Sequence, residues 1–555
     1  MRACCSALIL TVVFSLSSRF IKGQGGAKAP LDNGSISGRV NIGDKPASGT
    51  VVAAYGDNAN RRAAAQATAD NDGRYVLSAL AAGLYNVTVQ APAFVGTGSA
   101  LYGTGKTVAL SANEAVDSVD FKLARGAVIT GRVTDVDNKP VLEERINLQL
   151  LDESGKPDQK PGRLPYNYQT YQTDDRGIYR IYGLPAGRYK VSVGNDPKSG
   201  FVTTGTRAYY QQTFYPDTTD TAKASIVELS EGSEATNVDI VVGRRNQTYS
   251  AAGRIVDADT GEPVGGIQVV YGSAPKEQSS FGGYIVLPAT QRGDFRLEGL
   301  EPGRYGVYVS SQFGSQNRYS DPVFFDVVDG DVNNLEIKAI RGLSVSGVVA
   351  TDGITSKEAF AQLSALKISA NVPTTISGVR TYASGSSQIG ADGSFQINGL
   401  RPGKASIYLN NYSNPALRAF SITRIERDGV EQAQGIDING AQPTTGLQVF
   451  LAYGTGTIRG IVKIEGGTLP PDARLSLRLT REGASSPQTG GVVDSRGRFT
   501  LTNLAAGTYE IVLQAYIPNL NPPKRQPQPL VQTVSITDGG ETEVAFTLDL
   551  SAESP

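Results

Sequence analysis

Apolar residues recur at every second position in short stretches of this chain, and turn-forming residues separate those stretches. The sets Tyr85/Val87/Val89, Tyr189/Val191/Val193, Tyr305/Val307/Val309, Ala405/Ile407/Leu409 and Tyr509/Ile511/Leu513 show this most clearly. A period of two sets one face of a strand against a core and the other against water. A helix would need apolar spacings of three and four, which these stretches lack. The pattern therefore predicts an all-β protein.

The alternating stretches belong to a repeat that occurs five times. Turn glycines stand at Gly73, Gly177, Gly293, Gly393 and Gly497, and each has a second glycine ten residues on, at Gly83, Gly187, Gly303, Gly403 and Gly507. Two positions after each turn glycine comes an aromatic residue: Tyr75, Tyr179, Phe295, Phe395 or Phe499. Leu80, Leu184, Leu300, Leu400 and Leu504 fall between the two glycines. The register predicts a turn, a strand whose aromatic enters the core, a corner plugged by leucine, and a second strand opened by glycine.

A glycine also sits within the first strand of each repeat, at Gly38, Gly131, Gly253, Gly347 and Gly460. Inside a strand it marks a bulge or a close backbone approach. Each repeat closes on two apolar strands around an acidic or glycine turn, clearest at 108–123, 226–242 and 534–548. The fourth departs most, with a longer stretch up to Phe450.

These signatures divide the chain into 27–124, 125–245, 246–341, 342–454 and 455–555, after a leader at 1–26. The lengths suit Greek-key β-sandwiches. Each closing strand runs almost directly into the next opening strand. The expectation is a semi-rigid linear string, on the order of 150–200 Å long for modules of about 13 Å radius of gyration.

Composition narrows the function. The chain has 555 residues, no His, no Trp, two Cys and a net charge of −1. A near-neutral chain offers no electrostatic case for nucleic acid or an anionic membrane. Arg2 followed by the short hydrophobic run 7–18 reads as an export signal, too short to span a bilayer, and no later stretch is long and apolar enough to span one. Cys4 and Cys5 precede that run, so a mature chain would have neither disulfides nor thiolate ligands. Without histidine or mature cysteine, Ser-His-Asp and Cys-His machinery is excluded.

The opening Gly38-Arg39-Val40, the turn Asp72-Gly73-x-Tyr75 and the corner Leu80-x-x-Gly83-x-Tyr85, repeated through the chain, resemble the carboxypeptidase regulatory-like repeat. That family is one of prealbumin-like sandwiches, close to the Cna-B-like modules of bacterial surface proteins. The resemblance implies an Ig-like or prealbumin-like fold. Its members accompany metallocarboxypeptidases, outer-membrane transporters and adhesins, so it does not select a role. A metallocarboxypeptidase zinc site needs histidine, which is missing. No lysine keeps one register through the five copies, so the internal Lys–Asn or Lys–Asp bond of some Cna-B-like modules is not carried over.

Candidate chemistry is sparse. Tyr166, Tyr168 and Tyr171, with Tyr209, Tyr210 and Tyr215 in a later insertion, lie outside the repeating register of the second module. Tyrosines with an apolar face and a polar tip suit sugar stacking or protein contact, or they cover an enlarged module. Asp257, Asp259 and Glu262 around Gly261 could offer oxygens to calcium, or form a solvated turn. Arg292-Gly293-Asp294 spells an integrin-type tripeptide, but Gly293 is a turn glycine of the repeat. The expectation is an exported binding or structural scaffold without cofactor, partnered by a glycan or an envelope protein. The alternatives are an accessory string for an outer-membrane transporter or secreted hydrolase and, last, an acid-pair glycosidase.

Overall fold

The computed structural model describes residues 34–551, apart from 57–61, 97–104, 159–170, 196–207, 277–278, 312–316, 355, 412–413, 415–416, 440–441, 471–472, 483–488 and 518–525. The 1–26 leader, Tyr166 and Tyr168 lie outside the described residues. The protein is nearly all β, with a short helix at Lys357–Gln362 and a 3₁₀ turn at Leu363–Ala365. Five hydrophobic cores follow one another in chain order, around Ile36–Leu123, Ala127–Val242, Ala251–Ala339, Val345–Leu451 and Ile458–Leu548. Each core lies between two sheets, and the units are numbered 1 to 5 here.

Module 3 shows the plan. One sheet runs Asp294–Leu300, Tyr249–Asp257, Val332–Arg341, Arg318–Tyr319; the other runs Ile285–Pro288, Gln268–Ser273, Gly303–Val309, Val323–Val327. In every module the opening strand pairs antiparallel with the strand after the turn glycine and parallel with the closing strand.

The repeat spacing has a structural cause at each point. The turn glycines have φ between 74° and 80°, where a side chain would be strained. The five corner leucines are at most 3% exposed. The glycine of each opening strand lies under the closing segment: a Cβ would overlap the carbonyl oxygens of Val119, Val238, Leu335, Leu447 and Val544 in turn. Close approach is found at all five, and in modules 3 and 4 the parallel pairing also slips register at the glycine.

Two devices were not foreseen. All five antiparallel pairs slip register at the same place, between Gly34/Ile36, Ala127/Val128, Tyr249/Ala251, Leu343/Val345 and Gly456/Ile458. Opposite the slip stands a residue of positive φ: Ala79, Gly183, Gly299, Gly399 or Asn503. The tyrosine that opens the corner strand also ties the corner shut. Tyr85, Tyr189, Tyr305 and Tyr509 donate to the carbonyls of Ala81, Pro185, Glu301 and Ala505 at 2.6–2.9 Å. This i to i−4 bond is a tyrosine corner. Module 4 has Ala405 at that position.

The joints are bonded. Gly126 and Gly342 pack against Gly183 and Gly399, and Gly454 against Asn503, each with no room for a Cβ. Asn195 Nδ2 of module 2 donates to Glu301 of module 3 at 2.6 Å. Arg401 of module 4 pairs with Asp321 of module 3 at 2.6 Å. The expected linear string is not what forms. Module 5 returns to module 1, where Arg498 Nη1 lies 2.6 Å from Glu114 and Arg496 Nη2 donates to the Ala109 carbonyl at 2.6 Å. The bonded joints hold the modules at angles that bring the last to the first.

Candidate functional site

Chemistry-bearing side chains gather at the joint of modules 2 and 3, in the loop after the third opening strand, and at the contact of modules 5 and 1.

At the first, Ala208–Tyr209 pairs antiparallel with Asn246–Gln247 at the start of module 3. Tyr209 is half-buried there, and burial together with the Glu301 carboxylate raises its phenol pKa, against a hydrogen bond with Asn246. Tyr210 is 6% exposed and belongs to the module 2 core, with the Arg245 guanidinium 5.0 Å from its ring centre. Tyr171 and Tyr215 pack against that same core. Burial pushes the Tyr171 phenol up to about 12. Of the described tyrosines in the candidate set, Tyr210 offers no face to a ligand, while Tyr171, Tyr209 and Tyr215 keep partial exposure.

The same joint holds two interacting carboxylates that the repeat did not reveal. Burial raises the Glu144 carboxyl, the nearby Arg245 opposes this, and the charge of Glu301 adds to it. Glu301 is 9% exposed. A carboxylate removed from water keeps its charge only with partners, and Arg245 and Asn195 fill that role. The bond across the joint is the one from Asn195 to Glu301, while the two carboxylates repel. No signal in the sequence marked that pair, since Glu144 and Glu301 become neighbours only when modules 2 and 3 meet.

In the loop after the third opening strand, Asp257 Oδ1 accepts from the backbone N–H of Asp259 and Thr260 at 2.9 and 3.1 Å. Its Oδ2 lies 2.6 Å from Arg318 Nη1. Those bonds, the Arg318 one foremost, hold the Asp257 carboxyl at about 2. Asp259 and Glu262 are exposed. Both Asp257 oxygens are engaged by protein donors, and among the described residues no group of three or more Asp, Glu, His or Cys could hold a metal ion.

The third place begins in the turn. Three residues before each turn glycine stand Asp70, Asp174, Thr290, Gly390 and Asp494. Asp70, Asp174 and Asp494 accept two backbone N–H bonds through Oδ1, as Thr290 does through Oγ1. Asp70 is exposed, whereas Asp494 is 5% exposed because module 1 covers it. Its Oδ2 accepts from Arg496 Nη2 at 2.9 Å and from the Ala109 N–H of module 1 at 3.2 Å. Arg459 Nη1 donates to Ser111 Oγ at 2.7 Å. Burial disfavours a charged Glu114, but the Ser111 N–H and the guanidinium groups of Arg496 and Arg498 outweigh it and hold the carboxyl below the usual range.

A shallow groove on module 4, lined by Ser346, Ser387, Gln388, Ser394, Gln396 and Gln448, carries no titratable side chain.

Solved structures similar to this chain include several pilins. A streptococcal ancillary pilin is 15% identical, with 56% of this chain and 99% of that one covered and a TM-score of 0.23. BcpA, the major pilin subunit of Bacillus cereus, is 11% identical over 78% of this chain and all of its own, with a TM-score of 0.14. The minor pilin of Streptococcus agalactiae is 13% identical over 38% and 95%, with a TM-score of 0.18. No family model matches the chain, and no curated protein matches it in sequence.

Proposed function

We propose that this chain is an exported, non-enzymatic scaffold of the cell envelope. It comprises a leader at 1–26 and five sandwich modules at 27–124, 125–245, 246–341, 342–454 and 455–555. Its partner is a glycan or another surface protein, met by loops that vary between modules on a constant sandwich frame. One observation carries the reading: at two of the places where polar side chains converge, they hold modules together. Asn195 and Glu301 bond across the joint of modules 2 and 3, and Asp494, Arg496, Arg498 and Glu114 close module 5 on module 1. A chain that commits its buried charges to inter-module contacts is built to hold a shape. Tyr209 and Tyr215, half-buried beside the insertion, are the aromatic faces assigned to the ligand.

The test is retention of the purified chain on a panel of envelope polysaccharides and on immobilised envelope proteins. Retention by one class, weakened by Tyr209→Ala with Tyr215→Ala, is the expected result. Retention unchanged in that variant moves the ligand off the tyrosines. Turnover of any glycan, abolished by Glu144→Gln or Glu301→Gln, overturns the non-enzymatic reading.

A further inference from the structure

The five copies of the fold allow its outward faces to be compared position by position. On the first sheet, the residues on either side of the opening-strand glycine point outward, as do those one and three places after the turn glycine. Module 1 has Arg39 and Arg74 at these positions, and module 2 has Arg132 and Arg180. Module 3 has Arg254, Asp294 and Arg296, and module 5 has Arg459 and Arg498. These charges meet acids: Arg180 lies 3.4 Å from Glu234, Arg254 lies 2.8 Å from Asp294, and Arg459 pairs with Glu541. Module 4 has Ser346, Val348, Ser394 and Gln396 at the same positions, and its closing strand sets Gln448 beside Val348. The face that is charged in four modules is uncharged in the fourth.

That face is the shallow groove of module 4. Its volume of about 600 Å³ is in the range of small-molecule sites. Gln388, Ser394, Gln396 and Gln448 are exposed along it, and Val348 is 43% exposed. Several of the polar groups are held in place. Gln388 Nε2 donates to the Ser364 and Leu366 carbonyls, and Gln396 Nε2 donates to Asn398 Oδ1 at 3.1 Å. Ser387 Oγ accepts from the Gln396 N–H at 3.2 Å. Both amides keep their Oε1 as an acceptor, and a hydroxyl can donate and accept at once. Charges at the border of the groove are already engaged. Arg424 lies 2.7 Å from Glu426 and 3.1 Å from Asp352, and Asp392 Oδ1 accepts from Ser394 Oγ at 2.6 Å.

We infer that this groove binds an uncharged glycan, with sugar hydroxyls held by Gln388, Gln396, Gln448 and the serines, and the C–H face of a ring laid on Val348. A sugar hydroxyl donates and accepts. Amides and hydroxyls also do both, whereas a guanidinium only donates and a carboxylate only accepts. An acidic ligand would call for the arginines that the other modules carry on this face and module 4 lacks. A protein partner would be anchored by Trp, Tyr or Arg, and none of these is among the described lining residues. The inference goes beyond the tyrosine-borne ligand: that site is on module 2, this one is on module 4, and either can fail without the other.

The probes are cellohexaose, maltohexaose and N-acetylchitohexaose, with a galacturonic acid hexamer as the anionic comparison. Each is added in excess to the full-length chain, and binding is followed by titration calorimetry and by hydrogen–deuterium exchange. A neutral hexamer should bind and slow exchange in 344–349, 394–397 and 446–449. The galacturonic acid hexamer should bind at least about tenfold more weakly, because its carboxylates would lose water without gaining a cation. Gln396→Ala with Gln448→Ala changes two exposed side chains, should leave circular dichroism unchanged, and should weaken binding on the order of tenfold. Arg296→Ala, on the matching face of module 3, should leave the affinity as it is. Binding by none of the neutral hexamers, full affinity in the double variant, or equal binding of the anionic hexamer would each overturn the inference. Protection confined to 208–215 would place the glycan on the tyrosines of module 2, and would overturn the groove while upholding that other site.

Discussion

Reversing one charge should loosen the contact of module 5 with module 1, and its size can be worked out from the contact. Two ion pairs join Glu114 to Arg496 and Arg498 at 3.4 and 2.6 Å. Three hydrogen bonds accompany them: Ala109 N–H to Asp494, Arg496 to the Ala109 carbonyl, and Arg459 to Ser111. The Arg498 and Glu114 side chains are 48% and 20% exposed, so solvent screens the pair and it contributes about 0.5 kcal/mol. With hydrogen bonds near 1 kcal/mol each, the contact gathers roughly 4 kcal/mol. Arg498→Glu removes one attraction and sets a carboxylate beside Glu114. The swing is about 1–2 kcal/mol, which multiplies the open fraction about 5–30-fold. Adding Arg496→Ala withdraws the remaining Glu114 pair and the Ala109 bond, and leaves Asp494 without its cation. Small-angle scattering reads the result. The wild-type chain should be compact at low salt, and the double variant should lengthen toward the roughly 150–200 Å of an open string. Molar salt, at which the Debye length falls to about 3 Å, should loosen the wild-type contact by screening its ion pairs and so narrow its difference from the single variant. Arg296→Glu, an exposed position within module 3, serves as the control and should leave the curve unchanged. If the wild-type chain is already extended at low salt, or if all variants scatter alike at every salt, the closed arrangement is wrong.

Three further outcomes test the frame. Tyr189→Phe removes the bond to the Pro185 carbonyl and should cost module 2 about 1 kcal/mol in denaturant unfolding, with little change of fold by circular dichroism. Ala79→Gly should stabilise module 1 by up to about 1 kcal/mol, because Ala79 has φ 58° where the corner of modules 2, 3 and 4 has glycine; a loss of stability there would refute the strain. The Asp257 carboxyl has a depressed folded-state pKa of about 2, so the stability it contributes is complete above the ordinary Asp range near 3.9 and is lost as pH falls through about 2. Carboxyl NMR should find that midpoint, and Arg318→Ala should move it up toward the ordinary value.

The repeat was legible because each of its positions answers to a local constraint. A positive φ, a strand that alternates and a leucine at a corner are demanded wherever the unit occurs, so five copies print them five times. The tyrosine corner was in plain view at Tyr85, Tyr189, Tyr305 and Tyr509, but period two explains those residues as core, and their hydroxyl bonds show only in three dimensions. The register slip was hidden for another reason: Ala79, Gly183, Gly299, Gly399 and Asn503 share a backbone angle and no residue type. The module arrangement lay beyond any periodicity. Short joints are equally consistent with a rod and with a closed chain, and the angle at each joint depends on contacts such as Asn195 with Glu301 and Arg401 with Asp321. Asp494 carries the sharpest contrast. Its place three residues before the turn glycine makes it a turn acceptor like Asp70, and the sequence determines that much by itself. That its second oxygen meets Ala109 of module 1 was decided by the tertiary structure alone, because a contact spanning 385 residues is set by the sum of four joint angles and leaves no mark on local pattern.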